Sequence, residues 1–240
     1  MLTPAEVVFL LDVDNTLLDN DRFGADLTAH LDHDFGEAER RRYWSIYEGL
    51  RGQLGYADYL GALQIFRSGS DNLPALLQMS IFLLDYPFSQ RLYPRAIAAI
   101  EHLRAMGTTV ILSDGDIVFQ PRKIQRAGLW DAVEARVLVY LHKERMLDEV
   151  QRRYPAKHYV MIDDKPQLLA AMKRVLVDRL TTVFVRQGHY AADQERNSPS
   201  PAPDVTVDRI GDLCGFAMDW FCRFKPSHAL PPATGDKEAL

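Results

Sequence analysis

The feature that most restricts the fold is a regular alternation of short apolar runs with longer amphipathic segments. The runs are rich in branched residues, and continuous apolar strands of this length are typical of a parallel sheet covered on both faces. The segments between them repeat apolar residues at helical spacing. This alternation predicts an α/β fold, a doubly wound parallel sheet with helices on both faces. The five predicted strands are residues 7–13, 109–113, 135–141, 158–162 and 181–185.

One interval interrupts this alternation. Residues 20–92 carry helical patterns but no convincing branched strand, whereas a crossover between parallel strands needs far fewer residues. The economical interpretation is a helical domain inserted after the first strand. We therefore predict a core domain of residues 1–19 and 93–224, an inserted helical cap domain of residues 20–92, and a disordered, aperiodic tail of residues 225–240.

The end of the core domain shows two further patterns. Apolar residues at helical spacing predict a last helix over residues 208–224 that packs on the sheet. The polar, proline-rich residues 191–203 predict a loop. Cys214 and Cys222 have the spacing of neither a zinc site nor a redox pair and are too few for a disulfide framework, so we expect reduced core residues.

Charge and hydropathy exclude several functions. The formal net charge is -5, and no dense Lys/Arg block is interleaved with aromatic residues, which disfavours nucleic-acid binding. No basic segment precedes the first apolar run, and no run approaches the ~20 residues needed to span a bilayer. We therefore expect a cytoplasmic protein with no nucleic-acid or membrane partner. No feature of the sequence specifies an oligomeric state.

The first predicted strand ends in two aspartates, within FLLDVDNTLLDN. Because side chains alternate along a strand, Asp12 and Asp14 point the same way and can reach one site at its carboxyl end. Open α/β sheets bind their ligands at this edge. Two carboxylates brought together share a proton or bind a cation. The alternative is that these acids only cap the next turn.

The second strand ends in Ser113, Asp114 and Gly115. A hydroxyl at a strand end, followed by a glycine turn with exposed backbone N–H groups, could hold phosphate oxygens. Ser-Asp-Gly is also a common turn sequence, so this signal is weak by itself.

Charged residues follow the next two strands. Lys143 lies where a helix begins after the third strand, and a lone lysine there is more often a surface residue. Asp163 and Asp164 end the fourth strand, and adjacent carboxylates suit a hard cation such as Mg²⁺. Four successive strand ends therefore carry reactive or ligating side chains. A purely structural explanation, in which these residues only form turns or lie on the surface, would have to hold at all four.

The order and spacing of these features resemble the haloacid dehalogenase (HAD) superfamily of aspartate-nucleophile hydrolases. The segment DVDNT at residues 12–16 looks like its first motif, Ser113 its second, Lys143 its third, and Asp163 with Asp164 its fourth. The resemblance covers the whole sheet and implies a Rossmann-like core. The helical insertion is similar to the C1 cap of that superfamily, which closes over the active site.

The resemblance implies a role for each motif residue. Asp12 would be the nucleophile that takes the phosphoryl group, and Asp14 the general acid and then the general base. Ser113 and Lys143 would hold the phosphoryl oxygens. Mg²⁺ would be held by the two fourth-motif aspartates, Asp12 and the backbone carbonyl of Asp14, and the alignment favours Asp164 as the direct contact.

The second aspartate of the first motif bears on the reaction. The haloacid dehalogenases lack it, and an alkoxide leaving group needs a proton whereas a halide does not. Asp14 therefore favours a Mg²⁺-dependent phosphatase that acts on a small phosphorylated metabolite. A sugar phosphomutase, which would protect the phospho-aspartate from water, is the alternative enzyme. A non-catalytic binding module is a third hypothesis, disfavoured because Asp12 and Asp14 are both intact.

The predicted cap contains further candidate site residues in RGQLGYADYLGAL. This glycine-containing segment suits a loop that touches substrate, which makes Arg51 and Tyr56 candidate binding residues. The alternative is that its tyrosines, including Tyr59, pack a small helical core. His30 and His33 have an H-x-x-H spacing, but without a further ligand cluster a polar helix explains them better than zinc.

Overall fold

Six strands form one parallel sheet in the computed structural model, which describes residues 4–189 and 199–222. The strands are Ala5–Leu11 (β1), Thr108–Asp114 (β2), Val137–Tyr140 (β3), Ala156–Asp163 (β4), Leu180–Val185 (β5) and Val205–Val207 (β6). Their order is β3-β2-β1-β4-β5-β6, and every neighbouring pair is parallel. The predicted α/β fold with a parallel sheet is confirmed.

The strand β1 lies inside the sheet, between β2 and β4. Phe9 and Leu11 pack into the cluster on one face, while Val8 and Leu10 pack into the cluster on the other. A strand covered on both faces needs apolar residues throughout rather than in alternation, which explains the continuous run that begins the chain. The carboxyl end of β1 therefore lies between the carboxyl ends of β2 and β4, in the interior of the sheet.

A helical insertion follows β1, as predicted, and we call it the cap. Its helices are Asn20–Phe35 (α1), Glu37–Leu54 (α2), Tyr59–Phe66 (α3) and Leu73–Asp85 (α4), with 3-10 helices at Arg67–Gly69 and Phe88–Arg91. Two adjacent chain segments join it to the sheet: the N–H of Asp19 donates to Arg91 at 2.7 Å, and the N–H of Tyr93 donates to Leu17 at 3.0 Å. This arrangement is that of a C1 cap.

The division between cap and core is less sharp in packing than in sequence. One continuous cluster of buried apolar side chains runs from Phe9 and Leu11 in the sheet to Phe23 and Leu27 in α1. The proposed domain boundaries stay a prediction for this reason.

The core helices cover both faces of the sheet. They are Ala96–Arg104 (α5), Phe119–Arg126 (α6), Leu129–Ala132 (α7), Leu147–Arg153 (α8) and Pro166–Leu176 (α9), with 3-10 helices at Lys143–Arg145 and Val177–Arg179. Apolar residues of α5, α6 and α7 pack with Phe9, while those of α8 and α9 pack with Leu10. Helices on both faces of the sheet are therefore confirmed.

The end of the core domain differs from the prediction. Instead of one helix over residues 208–224, the chain forms a 3-10 helix at Ile210–Gly215 and a short helix at Met218–Cys222 (α10), separated by extended Phe216. Gly211 packs so closely against the chain before α5 that a Cβ would lie 3.1 Å from the Pro94 carbonyl. The apolar pattern thus predicted a buried surface, formed here by Ile210, Leu213 and Phe221, but not its interruption.

Several expectations concern residues that the structure describes only in part. The predicted tail lies outside the described residues, as do positions 191–198 of the predicted loop. Cys214 is half-buried and free. In the described ranges, no helix combines the length and apolar character required to cross a bilayer.

Candidate active site

The carboxyl ends of β1, β2 and β4 and the loop after β3 meet at one edge of the sheet, as parallel strands require. The backbone N–H of Asp12 still bonds to Ile162 at 3.0 Å, so the first aspartate is held by the sheet itself. Asp12, Ser113, Lys143 and Asp163 are all buried at this edge. The predicted site residues at four separate strand ends are therefore neighbours in the fold.

Lys143 lies at the centre of this group. Its Nζ is 2.5 Å from Asp12 Oδ1 and 2.7 Å from Asp163 Oδ2, and it donates to the Leu112 carbonyl at 3.2 Å. Burial alone would lower the pKa of this ammonium, but the neighbouring carboxylates outweigh burial and raise it. Lys143 is therefore a permanent cation in the interior, whereas its sequence context alone had favoured a surface position.

Three carboxylates form the one cluster of potential metal ligands among the described residues. Oxygens of Asp12, Asp163 and Asp164 lie within 4.8 Å of one another. Asp12 Oδ2 and both oxygens of Asp164 are buried and have no hydrogen-bond partner in the described chain. Burial and the neighbouring carboxylates raise the pKa of Asp164 well above its ordinary range, and burial raises that of Asp163.

This donor set fits a hard divalent cation. All the donors are carboxylate oxygens, without histidine or cysteine, which is the chemistry that Mg²⁺ prefers. Removing three carboxylates from water is costly unless positive charge accompanies them. Lys143 and the half-buried Lys165 supply part of that charge, and the carboxylates in turn raise the pKa of the Lys165 ammonium against the opposing effect of desolvation.

Asp14 is held apart from the other three aspartates. Its Oδ1 accepts from Lys123 Nζ at 2.7 Å and its Oδ2 accepts from Gln120 Nε2 at 3.2 Å. The Asp14 side chain is 26% exposed and lines the cavity described below. Only its backbone carbonyl is therefore a candidate metal ligand, because the carboxylate is already engaged.

Sequence reasoning missed Lys123 and Gln120, which both lie in α6. Lys123 is 1% exposed, and its ammonium lies 5.2–6.0 Å from four aromatic ring centroids, those of Phe23, Tyr59, Phe88 and Phe119. A signal was available: Gln120, Lys123, Ile124 and Ala127 follow the i, i+3, i+4, i+7 spacing of a buried helix face. Two polar residues on such a face indicate partners in the interior.

At the end of β2, the side chains and the backbone groups have different roles. Ser113 Oγ accepts from Gln120 Nε2 at 2.9 Å and donates to the Asp114 carbonyl at 3.4 Å, a long hydrogen bond that a phosphate oxygen could replace. Asp114 Oδ1 accepts the backbone N–H of Lys143 at 2.7 Å, so this carboxylate fixes the loop after β3, and only the backbone of Asp114 is available to an anion. A Cβ on Gly115 would lie 2.7 Å from Gln120 Cβ, so glycine is required there.

A cavity of about 660 Å³, which we call the central cavity, opens between these strand ends and the cap. Arg51 and Tyr56 line it from the cap side, together with core residues such as Asp14, Lys165 and His142. Tyr59 also borders the cavity but is 3% exposed and stacks on Tyr47 at 4.8 Å, so it belongs mainly to the packed interior of the cap.

Two further groups of side chains are the histidines with H-x-x-H spacing and a network at the turn after β1. His30 and His33 both approach Asp34, at 3.3 and 2.5 Å, and neither belongs to the carboxylate cluster. On the cavity wall, Asp21 at the start of α1 accepts from Asn15 Nδ2 at 2.9 Å and contacts His189 Nδ1 at 2.7 Å. This second network connects the first-motif turn and the loop after β5 to the cap.

Known proteins share this fold and its sequence features. Residues 7–175 match the sequence model of the haloacid dehalogenase-like hydrolases. A haloacid dehalogenase-like hydrolase from Burkholderia xenovorans LB400 superposes with a TM-score of 0.83 and is 61% identical, over 89% of this chain and 100% of that one. A search of curated protein sequences finds no match.

More distant structures share the fold. The HAD-hydrolase YfnB from Bacillus subtilis, solved bound to magnesium, has a TM-score of 0.61 at 18% identity, over 87% of this chain and 96% of that one. The L-2-haloacid dehalogenase from Xanthobacter autotrophicus has a TM-score of 0.55 at 18% identity, with the same two coverages, 87% and 96%.

Proposed function

Because the chain belongs to the haloacid dehalogenase-like hydrolase family, we propose that it is a Mg²⁺-dependent phosphatase that cleaves a small phosphomonoester. The observation that carries this proposal is the pair of aspartates after β1, held in two different environments. Asp12 belongs to the buried carboxylate cluster with Lys143, whereas Asp14 is oriented by Lys123 at the wall of the central cavity.

The buried end of the site suits attack on phosphorus. Lys143 engages Asp12 Oδ1, while Asp12 Oδ2 has no hydrogen-bond partner among the described residues. Asp12 attacks the phosphoryl group, the bond from phosphorus to the leaving oxygen breaks, and an aspartyl-phosphate forms. A carboxylate can approach a phosphate dianion only where positive charge offsets their repulsion, and Lys143 supplies one such charge.

Mg²⁺ would be held by Asp12, Asp164 and the carbonyl of Asp14, with Asp163 close by. When bound, it supplies the remaining positive charge against the attacking carboxylate and the phosphoryl oxygens. Asp163 Oδ2 forms an ion pair with Lys143 at 2.7 Å, without a hydrogen bond, and Asp163 Oδ1 accepts the N–H of Lys165 at 2.8 Å, whereas both Asp164 oxygens lack any partner among the described residues. This difference supports Asp164 as the direct ligand, and the related YfnB, solved bound to magnesium, supports Mg²⁺ as the cation.

Asp14 completes both half-reactions. In the first, its protonated carboxyl gives a proton to the departing alkoxide; in the second, its carboxylate takes a proton from the water that attacks the aspartyl-phosphate, which releases phosphate and restores Asp12. Ser113 and the backbone N–H groups that follow it would hold the phosphoryl oxygens. The cap above the central cavity supports a small substrate rather than a macromolecule.

Dehalogenation is the competing chemistry, since some structural relatives are haloacid dehalogenases. Those reactions release halide, which needs no proton, so they give no role to the acid that Lys123 and Gln120 hold in place. Release of chloride from a 2-chloroalkanoate without release of phosphate from any ester would overturn the proposal.

The decisive experiment compares Asp12→Asn with Asp131→Asn. Asp131 lies on the exposed face of α7, so the second variant makes the same chemical change outside the site. With p-nitrophenyl phosphate and Mg²⁺, Asp12→Asn should lose at least about 10³-fold in kcat/KM, because the nucleophile is gone, while Asp131→Asn should match the parent. Isomer formation from a hexose 1-phosphate without phosphate release would indicate a mutase instead.

A further inference from the structure

A second cavity of about 570 Å³ adjoins the central cavity beside the edge strand β3. We call it the β3 groove, and its apolar lining comes from the loop after β2, from β3 and from the loop that follows. The lining residues include Ile117, Val139, Tyr140, Leu141 and Met146. The central cavity, by contrast, is lined by several acids, Arg51, Lys165 and two histidines.

The β3 groove exposes large apolar side chains. Ile117 is 79% exposed and Leu141 is 53% exposed. The turn that carries Ile117 is fixed, because Asp116 Oδ1 accepts the backbone N–H groups of Val118 at 2.8 Å and Phe119 at 2.7 Å. A fixed turn that presents an apolar side chain to water beside an active site indicates a surface that is covered when a ligand binds.

The two cavities share a wall at the contact between cap and core. Tyr56 of the cap and His142 of the core line both of them. The contact is tight, because a Cβ on Gly55 would lie 2.5 Å from His142 Cε1. Gly55 also has a φ of +79°, which favours glycine. The side chains of Tyr56 and His142 therefore lie between the two cavities.

The β3 groove also borders the turn after β2. Gly115 lines it, and Gly115 is two residues beyond Ser113, the proposed phosphoryl ligand. The turn that would hold the phosphoryl oxygens therefore also forms one side of the groove. Asp116 Oδ1 accepts two backbone N–H groups and Arg145 approaches Glu144 at 3.4 Å, whereas Asp116 Oδ2 and the Tyr140 hydroxyl are buried polar atoms with no hydrogen-bond partner among the described residues.

We propose that the β3 groove binds the leaving group of the substrate, which is therefore a phosphomonoester of an apolar alcohol or phenol rather than of a compact sugar. This inference rests on the proposed phosphatase function for its phosphoryl end. The apolar end follows from the groove, because burying methylene groups there removes both ligand and protein surface from water.

Binding of alkylphosphonates tests the groove without hydrolysis. The dissociation constants of ethyl-, butyl-, hexyl- and octylphosphonate, measured by calorimetry with Mg²⁺ present, should fall by up to about fourfold per added methylene. The double variant Ile117→Ser/Leu141→Ser should flatten this dependence. Val175→Ser is the control, because Val175 is 58% exposed on α9 and lines neither cavity, and it should keep the parental slope.

Each outcome bears on one proposal or the other. Affinity that does not depend on chain length overturns the groove assignment, even if phosphate is released from every ester. Chain-length-dependent binding that the double variant abolishes supports the groove, even if no ester is hydrolysed, in which case the phosphatase function fails separately. A parent that sediments as a dimer, with a monomeric double variant and no chain-length effect, assigns the groove to a second copy and overturns the proposal.

Discussion

Two buried lysines can be compared, one at each end of the candidate active site. Lys143 contacts Asp12 at 2.5 Å and Lys123 contacts Asp14 at 2.7 Å, and both lysine side chains are withdrawn from water. Around Lys143 lie further carboxylates, with Asp163 at 2.7 Å. Around Lys123 lie aromatic rings and, among the described residues, a single charged partner.

The two halves of the site are supported by different parts of the chain. The Lys143 end is built from strand ends and the loop after β3, so it belongs to the core alone. The Lys123 end includes Phe23, Tyr59 and Asn20 of the cap, and Asn20 Oδ1 accepts from Lys123 at 3.0 Å. The position of Asp14 therefore depends on where the cap lies relative to the core, whereas the position of Asp12 does not.

The largest expected effect is at the Lys143 end. Lys143→Met should reduce kcat/KM for p-nitrophenyl phosphate by about 10³-fold, because the buried cation facing the developing charge is lost. Without Mg²⁺ it should also lower the free energy of unfolding by about 3 kcal/mol, since buried carboxylates lose their partner. Lys157→Met, at a 63% exposed lysine paired with Glu6, is the control and should leave both quantities unchanged. Equal losses in the two variants would contradict the comparison.

Lys123→Met should show a smaller and substrate-dependent loss. The methionine can occupy the aromatic surroundings, and the partly exposed Asp14 can be hydrated, so stability should fall by only about 1 kcal/mol. The kcat/KM for an alkyl phosphate should fall by about 10²-fold, because its poor leaving group depends on the proton donor. Comparing alkyl with p-nitrophenyl phosphate measures this, and identical losses for both would exclude a positioning role for Lys123.

The excess of carboxylates at the Lys143 end predicts a pH-dependent response to metal. Burial raises the pKa of Asp163 to about 6 and raises that of Asp164 as well. A raised pKa means that the folded state holds protons that the unfolded state has lost, so metal-free stability should fall as pH rises from about 4 to 6.

Mg²⁺ needs these carboxylates deprotonated, and its stabilisation should therefore grow over the same range. In thermal unfolding, 5 mM Mg²⁺ should raise Tm by about 5 °C at pH 7.5 and by less at pH 5. Asp164→Asn should remove most of this rise. A rise of the same size at both pH values would count against the carboxylate site.

The smallest effect tests the contact between the cap and the loop after β3. Gly55→Ala introduces a Cβ 2.5 Å from His142 Cε1, whereas Gly128→Ala, at nearly the same φ of +78°, meets nothing within 4 Å. Both should lose about 1 kcal/mol of stability through the strained φ. Only Gly55→Ala should lower kcat/KM, by about fivefold, through displacement of the cap loop. An equal activity loss in Gly128→Ala would attribute the effect to stability alone.

Much of the fold could be predicted because its signals are local. Continuous apolar runs at five positions predicted five of the six strands, since burial on both faces requires apolar residues throughout. The strand β6 was missed because it has three residues, Val205–Val207, too few for a periodic pattern. The last helix was predicted as continuous because spacing records which residues are buried and does not record the backbone break at Phe216.

The parallel sheet, the helical insertion and the strand ends that carry Asp12, Asp14 and Asp163 could be predicted from local patterns, because alternation and periodicity depend on neighbours along the chain. The burial of Lys143, the orientation of Asp14 by Lys123 and the apolar groove beside the central cavity are visible only in the folded chain. Those features depend on contacts across as many as 131 positions of the chain. Charge in the interior is tolerated only where such distant partners meet, and no local pattern specifies that meeting.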